Sequence, residues 1–138
     1  LQGFLDEDEV NEVPALSGSC MLIRRDVIDQ IGLLDERFFA YQEDTDYCVQ
    51  ARKAGWKVVY YPKAVITHFG GKGGASAQPY KTIVEWHLSY YRYYKKNLAK
   101  DYFFLFNWLF YLVMGVKLLL SLTVNFFRPH KHPGPKRG

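Results

Sequence analysis

A chain of 138 residues that is 49% hydrophobic, 17% aromatic and 23% charged has room for one packed domain and is too apolar to remain disordered. Its net charge of +4 conceals a polarity along the chain, because residues 1–46 are strongly acidic, 47–127 are basic and 128–138 carry only cations. Nucleic acid is a poor partner for such a chain: the bases form no motif, and the acidic block would repel a phosphate backbone. Two halves that attract each other, a site where carboxylates and cations meet around a phosphorylated ligand, and ordinary solvated faces all remain compatible with the pattern.

The chain opens at Leu1 with no initiator Met and no secretory leader pattern, so it is expected to be a piece of a longer protein. Residues 1–15 are acidic and aperiodic and read as a loop. Residues 20–23, Cys-Met-Leu-Ile, suit a short buried strand. Asp26 then reads as a helix N-cap, with Val27, Ile28 and Ile31 facing inward and Gly32 closing the helix. Phe38, Phe39 and Tyr41 precede the acidic stretch Glu43-Asp-Thr-Asp46, which opens a second helix running through Tyr47, Ala51 and Ala54 to a stop at Gly55. Residues 57–61 and 64–68 read as two short strands separated by Pro62. A glycine-rich loop, 70–74, follows.

From Pro79 an apolar and aromatic face recurs at Ile83, His87, Tyr90, Tyr94 and Leu98, the spacing of one side of a helix with proline in its first turn. Residues 102–127 are almost continuously apolar, interrupted by Asn107, Lys117, Ser121, Thr123 and Asn125. The length is that of a membrane span, but a lysine near the centre is costly there, so a span and an interfacial hairpin both remain open. The basic, proline-rich tail suits anionic lipid on the cytoplasmic side. Cys20 and Cys48 match no metal or redox spacing and are expected to be two buried free thiols of a reducing compartment.

The acidic stretch is the strongest chemical candidate. Carboxylates in a first helical turn meet unpaired amides and the positive end of the helix dipole, which favours the ionised form and fixes its direction. A carboxylate so held can take a proton from an attacking hydroxyl within hydrogen-bond reach. Equally, Asp44 could be a helix cap, with Glu43 and Asp46 solvated. His68 at a strand end is either a structural residue or a ligand for a phosphate or metal. Loop 70–76, with Lys72, departs from the phosphate-loop order and reads as a lid or as a plain connector.

Five stretches in order carry a resemblance: Ser17-Gly-Ser-Cys-Met-Leu-Ile-Arg-Arg25, Ile31-Gly-Leu-Leu-Asp-Glu-Arg-Phe-Phe39, Tyr41-Gln-Glu-Asp-Thr-Asp-Tyr47, Ala51-Arg-Lys-Ala-Gly-Trp56 and Tyr61-Pro-Lys-Ala64, followed by His68. Together they resemble family 2 glycosyltransferases, most closely the rhamnosyltransferase-like branch. The resemblance implies an α/β fold, the C-terminal part of a GT-A type mixed sheet, and sugar transfer from a nucleotide donor with inversion. It implies Asp44 as general base, with Glu43 beside it as an acceptor-positioning residue or the alternative base. Ser17, Gly18 and Asp46 would lie on the acceptor side, and Asp46 would also hold the helix start. His68 and the lid residue Lys72 would lie near the donor diphosphate, His68 also as a metal ligand.

The family's nucleotide half ends in an Asp-x-Asp motif, and the letters Asp6-Glu-Asp8 follow no strand-like run. The nucleotide and most ligands of a divalent Mg or Mn ion are therefore expected from a preceding half, and this piece is expected to be inactive alone. The implied partners are a nucleotide-sugar donor, a glycan or lipid-linked acceptor and the cytoplasmic face of the cell membrane; exposed apolar surface could also pair two copies of the chain. The expected organisation is an acceptor-side part of the catalytic domain (1–78), an amphipathic helix (79–100), an apolar membrane-associating segment (101–127) and a basic tail (128–138). Two rival readings are a metal-dependent phosphoryl hydrolase built on Glu43, Asp44, Asp46 and His68, and a noncatalytic membrane-anchoring module.

Overall fold

The computed structural model describes residues 5–68 and 78–127. Four helices carry it: α1 (Arg25–Ile31), α2 (Glu43–Lys53), α3 (Pro79–Asn97) and α4 (Phe104–Phe127). Two-residue strands β1 (Asn11–Glu12) and β2 (Val59–Tyr60) pair antiparallel, with Asn11 opposite Tyr60 and Glu12 opposite Val59. The ladder extends by one further bond, Val13 N–H to the Val58 carbonyl at 2.9 Å.

The fold is thus mixed α/β with far less sheet than the sequence leads one to expect. A strand needs a neighbour for its backbone groups, and among the described residues only β1 and β2 provide one for each other. Residues 64–68 form no strand, and Val65 and Ile66 are exposed. The expected strand at 20–23 is replaced by a 3₁₀ turn, Gly18–Cys20, and an unpaired extended stretch whose Leu22 is 94% exposed. The loop expected at 1–15 contains β1 instead. Cys20 is exposed rather than buried, Cys48 is buried, and both are free thiols.

α1 starts one residue before Asp26. Arg24 is its N-cap without a side-chain cap bond, and Asp26 is instead paired with Arg24. Gly32, at φ 83°, ends the helix with its N–H on the Ile28 carbonyl. Gly55, at φ 90°, serves the turn after α2, where Trp56 N–H returns to the Ala51 carbonyl.

α2 is the hub. Tyr47 and Ala51 pack with Val27 of α1, joined by Ile23, Ile31 and Trp56, and the Tyr47 hydroxyl donates to the Gly32 carbonyl at 3.0 Å. Cys48, one residue on, faces Val13 and Val58 of the β ribbon. The third side of α2 is polar. Asp46, 2% exposed, accepts from Lys96 Nζ at 2.6 Å and Asn97 Nδ2 at 2.7 Å, both at the C-terminal end of α3. Lys96 also reaches Asp35 at 2.8 Å, and Arg37 closes on the same carboxylate at 2.6 Å. The acidic first third and the basic middle of the chain meet in this seam.

α3 has two working faces. One carries Trp86, Tyr91 and Tyr94 against α4: Trp86 under Lys117 Nζ at 3.9 Å, Tyr91 against Tyr111 at 5.1 Å, and Tyr94 stacked on Phe110 at 3.8 Å. As α3 numbers rise, α4 numbers fall, so the helices run antiparallel side by side. The opposite face, with Glu85, Ser89, Arg92 and Lys96, turns toward α2 and the loop before it.

Lys96→Met leaves the buried Asp46 charge without its cation, a change that costs several kcal/mol in buried pairs. Because Lys96 is partly exposed, a loss of about 3 kcal/mol is expected in urea unfolding. The double variant with Asp46→Asn should recover a large part of that loss.

The Arg37 guanidinium, helped by Lys96 against the opposing effect of burial, holds the Asp35 carboxyl far below the usual carboxylate range. Burial pulls the Lys96 ammonium down, but its hydrogen bonds to Asp35 and Asp46 more than reverse this and leave it above its ordinary value. The Asp35 contribution is therefore complete above the unfolded carboxylate value, about pH 4, and fades as pH falls through the folded value. The Lys96 contribution fades only as pH rises beyond about 10.4. The melting temperature should fall on acidification below about pH 4, and Asp35→Asn should flatten that acid slope.

Candidate functional site

Between the turn at 17–19, the N-terminus of α2 and the first half of α3 lies a cleft of about 940 Å³, large enough for a sugar with part of its carrier. Asp44 stands at its base in the first turn of α2. Its Oδ2 accepts the Gly18 N–H at 2.8 Å, and its Oδ1 accepts the Thr45 N–H at 2.6 Å. Both oxygens are thus fixed by main-chain amides; Oδ1 also accepts the Thr45 hydroxyl at 3.2 Å, while Oδ2 keeps a second acceptor direction. Ser17 caps the 3₁₀ turn that presents the Gly18 amide, its hydroxyl accepting from Ser19 N–H.

The chain enters α2 through an unusual turn, since Tyr41 and Gln42 both have φ 68°. Non-glycine residues in that region each store about 1–3 kcal/mol of strain. Nearby contacts hold the turn. Ser89, fully buried on α3, donates to the Ala40 carbonyl at 2.6 Å, and Arg92 Nη1 donates to the Arg37 carbonyl at 2.6 Å. With Gln42 as N-cap, its carbonyl accepts the Asp46 N–H and begins the helical ladder.

Ser17, Gly18, Glu43, Asp44 and His68 all line this one cleft. Glu43 has a buried Oε2 with no hydrogen-bond partner among the described residues. Asp46 does not line the cleft, because its carboxylate is turned to Lys96 and Asn97 on the other side of α2. The expected acceptor-side position for Asp46 gives way to the helix-holding one. Lys72 and loop 70–76 lie outside the described residues.

α3 adds residues that the sequence alone does not place in the site: Lys81, Thr82, Glu85 and Tyr90 form the opposite wall. Lys81 Nζ sits 4.0 Å over the Phe39 ring. Glu85 Oε2 is buried without a hydrogen bond, with Arg92 Nη1 at an ion-pair distance of 3.7 Å. The signal for this wall is a second polar stripe, Thr82-Glu85-Ser89, repeating at helical spacing opposite the aromatic one.

A divalent ion does not fit the residues in hand. Among the described residues no three of His, Cys, Asp and Glu come together as a metal-ligating group. A hydrolase built on such a cluster loses its basis among the described residues. The arrangement can instead orient a hydroxyl among Asp44, Glu43 and Glu85 and accept its proton.

The family model described as glycosyltransferase like family 2 matches residues 5–84. An N-acetylglucosaminyl-diphospho-decaprenol L-rhamnosyltransferase of Mycobacterium tuberculosis, in strains H37Rv and CDC 1551, is 51% identical over 53 residues, 38% of this chain and 17% of that protein. A low-salt glycan biosynthesis hexosyltransferase Agl10 of Haloferax volcanii is 43% identical over 47 residues, 34% of this chain and 15% of that protein. The matched stretch is thus a small part of these relatives' length. No solved structure matches the chain.

Ser89→Ala removes the hydrogen bond to the half-buried Ala40 carbonyl, so a stability loss of about 1 kcal/mol is expected. Hydrogen exchange at residues 40–43 should accelerate more than at α1 or the β ribbon; equal change everywhere would show that Ser89 does not hold the turn.

Proposed function

The chain belongs to the glycosyltransferase like family 2, and we propose from that premise that it forms the acceptor side of a sugar transferase. The observation that carries this reading is the convergence of Glu43, an amide-clamped Asp44 and Glu85 on one cleft. Asp44 is the general base. As an acceptor hydroxyl oxygen attacks the anomeric carbon of the nucleotide sugar, its proton passes to the Asp44 carboxylate. The bond from that carbon to the donor phosphate oxygen breaks, and the nucleoside diphosphate leaves with the electron pair. Attack from the face opposite the leaving group inverts the anomeric centre.

Clamping by two amides fixes the carboxylate before the acceptor arrives, the kind of positioning from which a base gains its effect. Glu43 and Glu85, which line the same cleft, accept hydrogen bonds from other hydroxyls of the acceptor. His68 borders the donor diphosphate. The nucleotide-binding half, the remaining strands of a GT-A sheet beside the unpaired stretches at 20–23 and 64–68, and the ligands of any required divalent ion are supplied outside the described residues. The acceptor is a glycan or lipid-linked sugar. The printed name of the Mycobacterium relative, a decaprenol-diphosphate enzyme, supports the lipid-linked form. The enzyme works at the cytoplasmic face of the cell membrane, which it meets through α4, a helix long and apolar enough to cross a bilayer by length and composition.

The test is sugar transfer by the full-length protein in membranes, from a panel of nucleotide sugars to lipid extract, with and without Mg²⁺ or Mn²⁺. Asp44→Asn should lower kcat by about a hundredfold or more, with Glu43→Gln and Glu85→Gln acting mainly on the acceptor KM. Near-normal transfer by Asp44→Asn together with collapse in Glu43→Gln would move the base to Glu43. Absence of transfer by the wild type from every donor would favour the anchoring reading.

A further inference from the structure

The polar residues of α4 are sorted by face. Asn107, Lys117, Ser121 and Asn125 fall on the side turned to α3, spaced at helical intervals. Asn107 Nδ2 donates to the Ala99 carbonyl at 2.8 Å, and its Oδ1 accepts the Tyr94 hydroxyl at 2.5 Å. Lys117 lies over Trp86, and Ser121 Oγ donates to the Lys117 carbonyl at 2.8 Å. The outer arc, including Trp108, Leu109, Leu112, Val116, Leu120 and Val124, is apolar and exposed. Its one polar residue, Thr123, returns its hydroxyl to the Leu120 carbonyl at 2.9 Å. Of the interruptions that counted against a membrane segment in the linear sequence, only Thr123 falls in this arc, with its hydroxyl satisfied by the helix backbone.

The packing of α3 then decides the orientation. α3 runs alongside α4 from the Tyr94–Phe110 contact to the Trp86–Lys117 contact, and its opposite face is tied to α2 and the cleft by Ser89, Arg92 and Lys96. If α4 stood across a bilayer, α3 would be carried to the same depth, with Glu85, Arg92 and the Lys96–Asp46 pair. Each charge at mid-bilayer costs about 2.5–3.5 kcal/mol or more. A helix lying flat avoids that cost and still buries its arc.

We propose that α4 lies in the plane of one leaflet, its outer arc in the acyl boundary, with α3 above it and the cleft on the far side of α3. The occupant of the arc is a lipid surface. The cations that follow α4 in sequence, Arg128, Lys131, Lys136 and Arg137, complement anionic headgroups, whereas they would repel the same tail of a second copy. The cleft then stands about one helix diameter, roughly 10 Å, above the embedded helix. At that height it meets the head of a lipid-linked acceptor and not its tail. This inference deepens the membrane part of the proposed function, and its test needs no sugar transfer.

The test uses the full-length protein in phosphatidylcholine–phosphatidylglycerol vesicles. Nitroxide labels are placed singly at Leu109, Leu112, Val116, Leu120 and Val124 in a Cys20→Ser background, and depth is read from relative accessibility to oxygen and a water-soluble nickel chelate. These side chains face away from α3, so the fold should tolerate them, which helical circular dichroism checks. All five labels should lie at one depth, about 5–10 Å below the headgroups. A depth profile that passes through the bilayer centre and returns to the opposite surface would overturn the proposal in favour of a span. Labels shielded from both reagents would overturn it in favour of a protein partner or second copy, and labels fully open to the chelate would show no membrane contact. As a second measurement, Val116→Glu with Leu120→Glu should cut flotation with vesicles at least tenfold; unchanged flotation also overturns the proposal. Uniform depth without sugar transfer would leave the orientation standing and remove the transferase reading alone.

Discussion

Asp46 is the constraint around which the other parts are arranged. A carboxylate this deeply buried is tolerable only with a cation and further donors at hand, and Lys96, Asn97 and Gln50 supply them. Those partners belong to α3 or to the next turn of α2 itself, so the pairing fixes the rotation of α2 against α3. Because Glu43 and Asp44 stand on the same helix within one turn, that rotation also sets which carboxylates look into the cleft and which does not. The same seam brings Ser89 and Arg92 to the loop that enters α2, where two successive left-handed residues are held in place.

Three acids within four residues therefore have three different fates. Asp44 is clamped by amides and open to the cleft, Glu43 lines the cleft and has an oxygen unspent, and Asp46 is consumed by packing. Helical geometry accounts for the division. Residues 43 and 44 are neighbours at the free N-terminal end, whereas 46 lies on the side that meets α3. A polar wall on α3 completes the cleft from a segment distant in sequence.

Much of the helical framework was legible in the sequence, because it rests on local signals: proline at the start of α3, glycine after α1 and α2, and acids in the first turn of α2. The candidate carboxylates were legible too, as were Ser17, Gly18 and His68. What was not legible depends on partners far along the chain. Strand formers at 20–23 and 64–68 have the right composition but lack neighbours among the described residues. The polar stripe of α3 reads as a solvated face until α2 is laid against it. Asp46 cannot be told from Asp44 without knowing where Lys96 and Asn97 arrive. The apolar run from residue 102 likewise looks flawed until all its polar residues but Thr123 are seen to share one side.

The contact between Gly18 and Asp44 bears on how such a site can diverge. The donor is a main-chain amide, which every residue but proline possesses. A Cβ built at position 18 would meet Asp44 only at ordinary contact distances, 3.5 Å at the nearest. The orientation of the carboxylate is therefore insulated from side-chain change in the turn that holds it. Position 18 can vary while the Asp44 carboxylate keeps its direction, so the wall of the cleft can change shape around a fixed carboxylate.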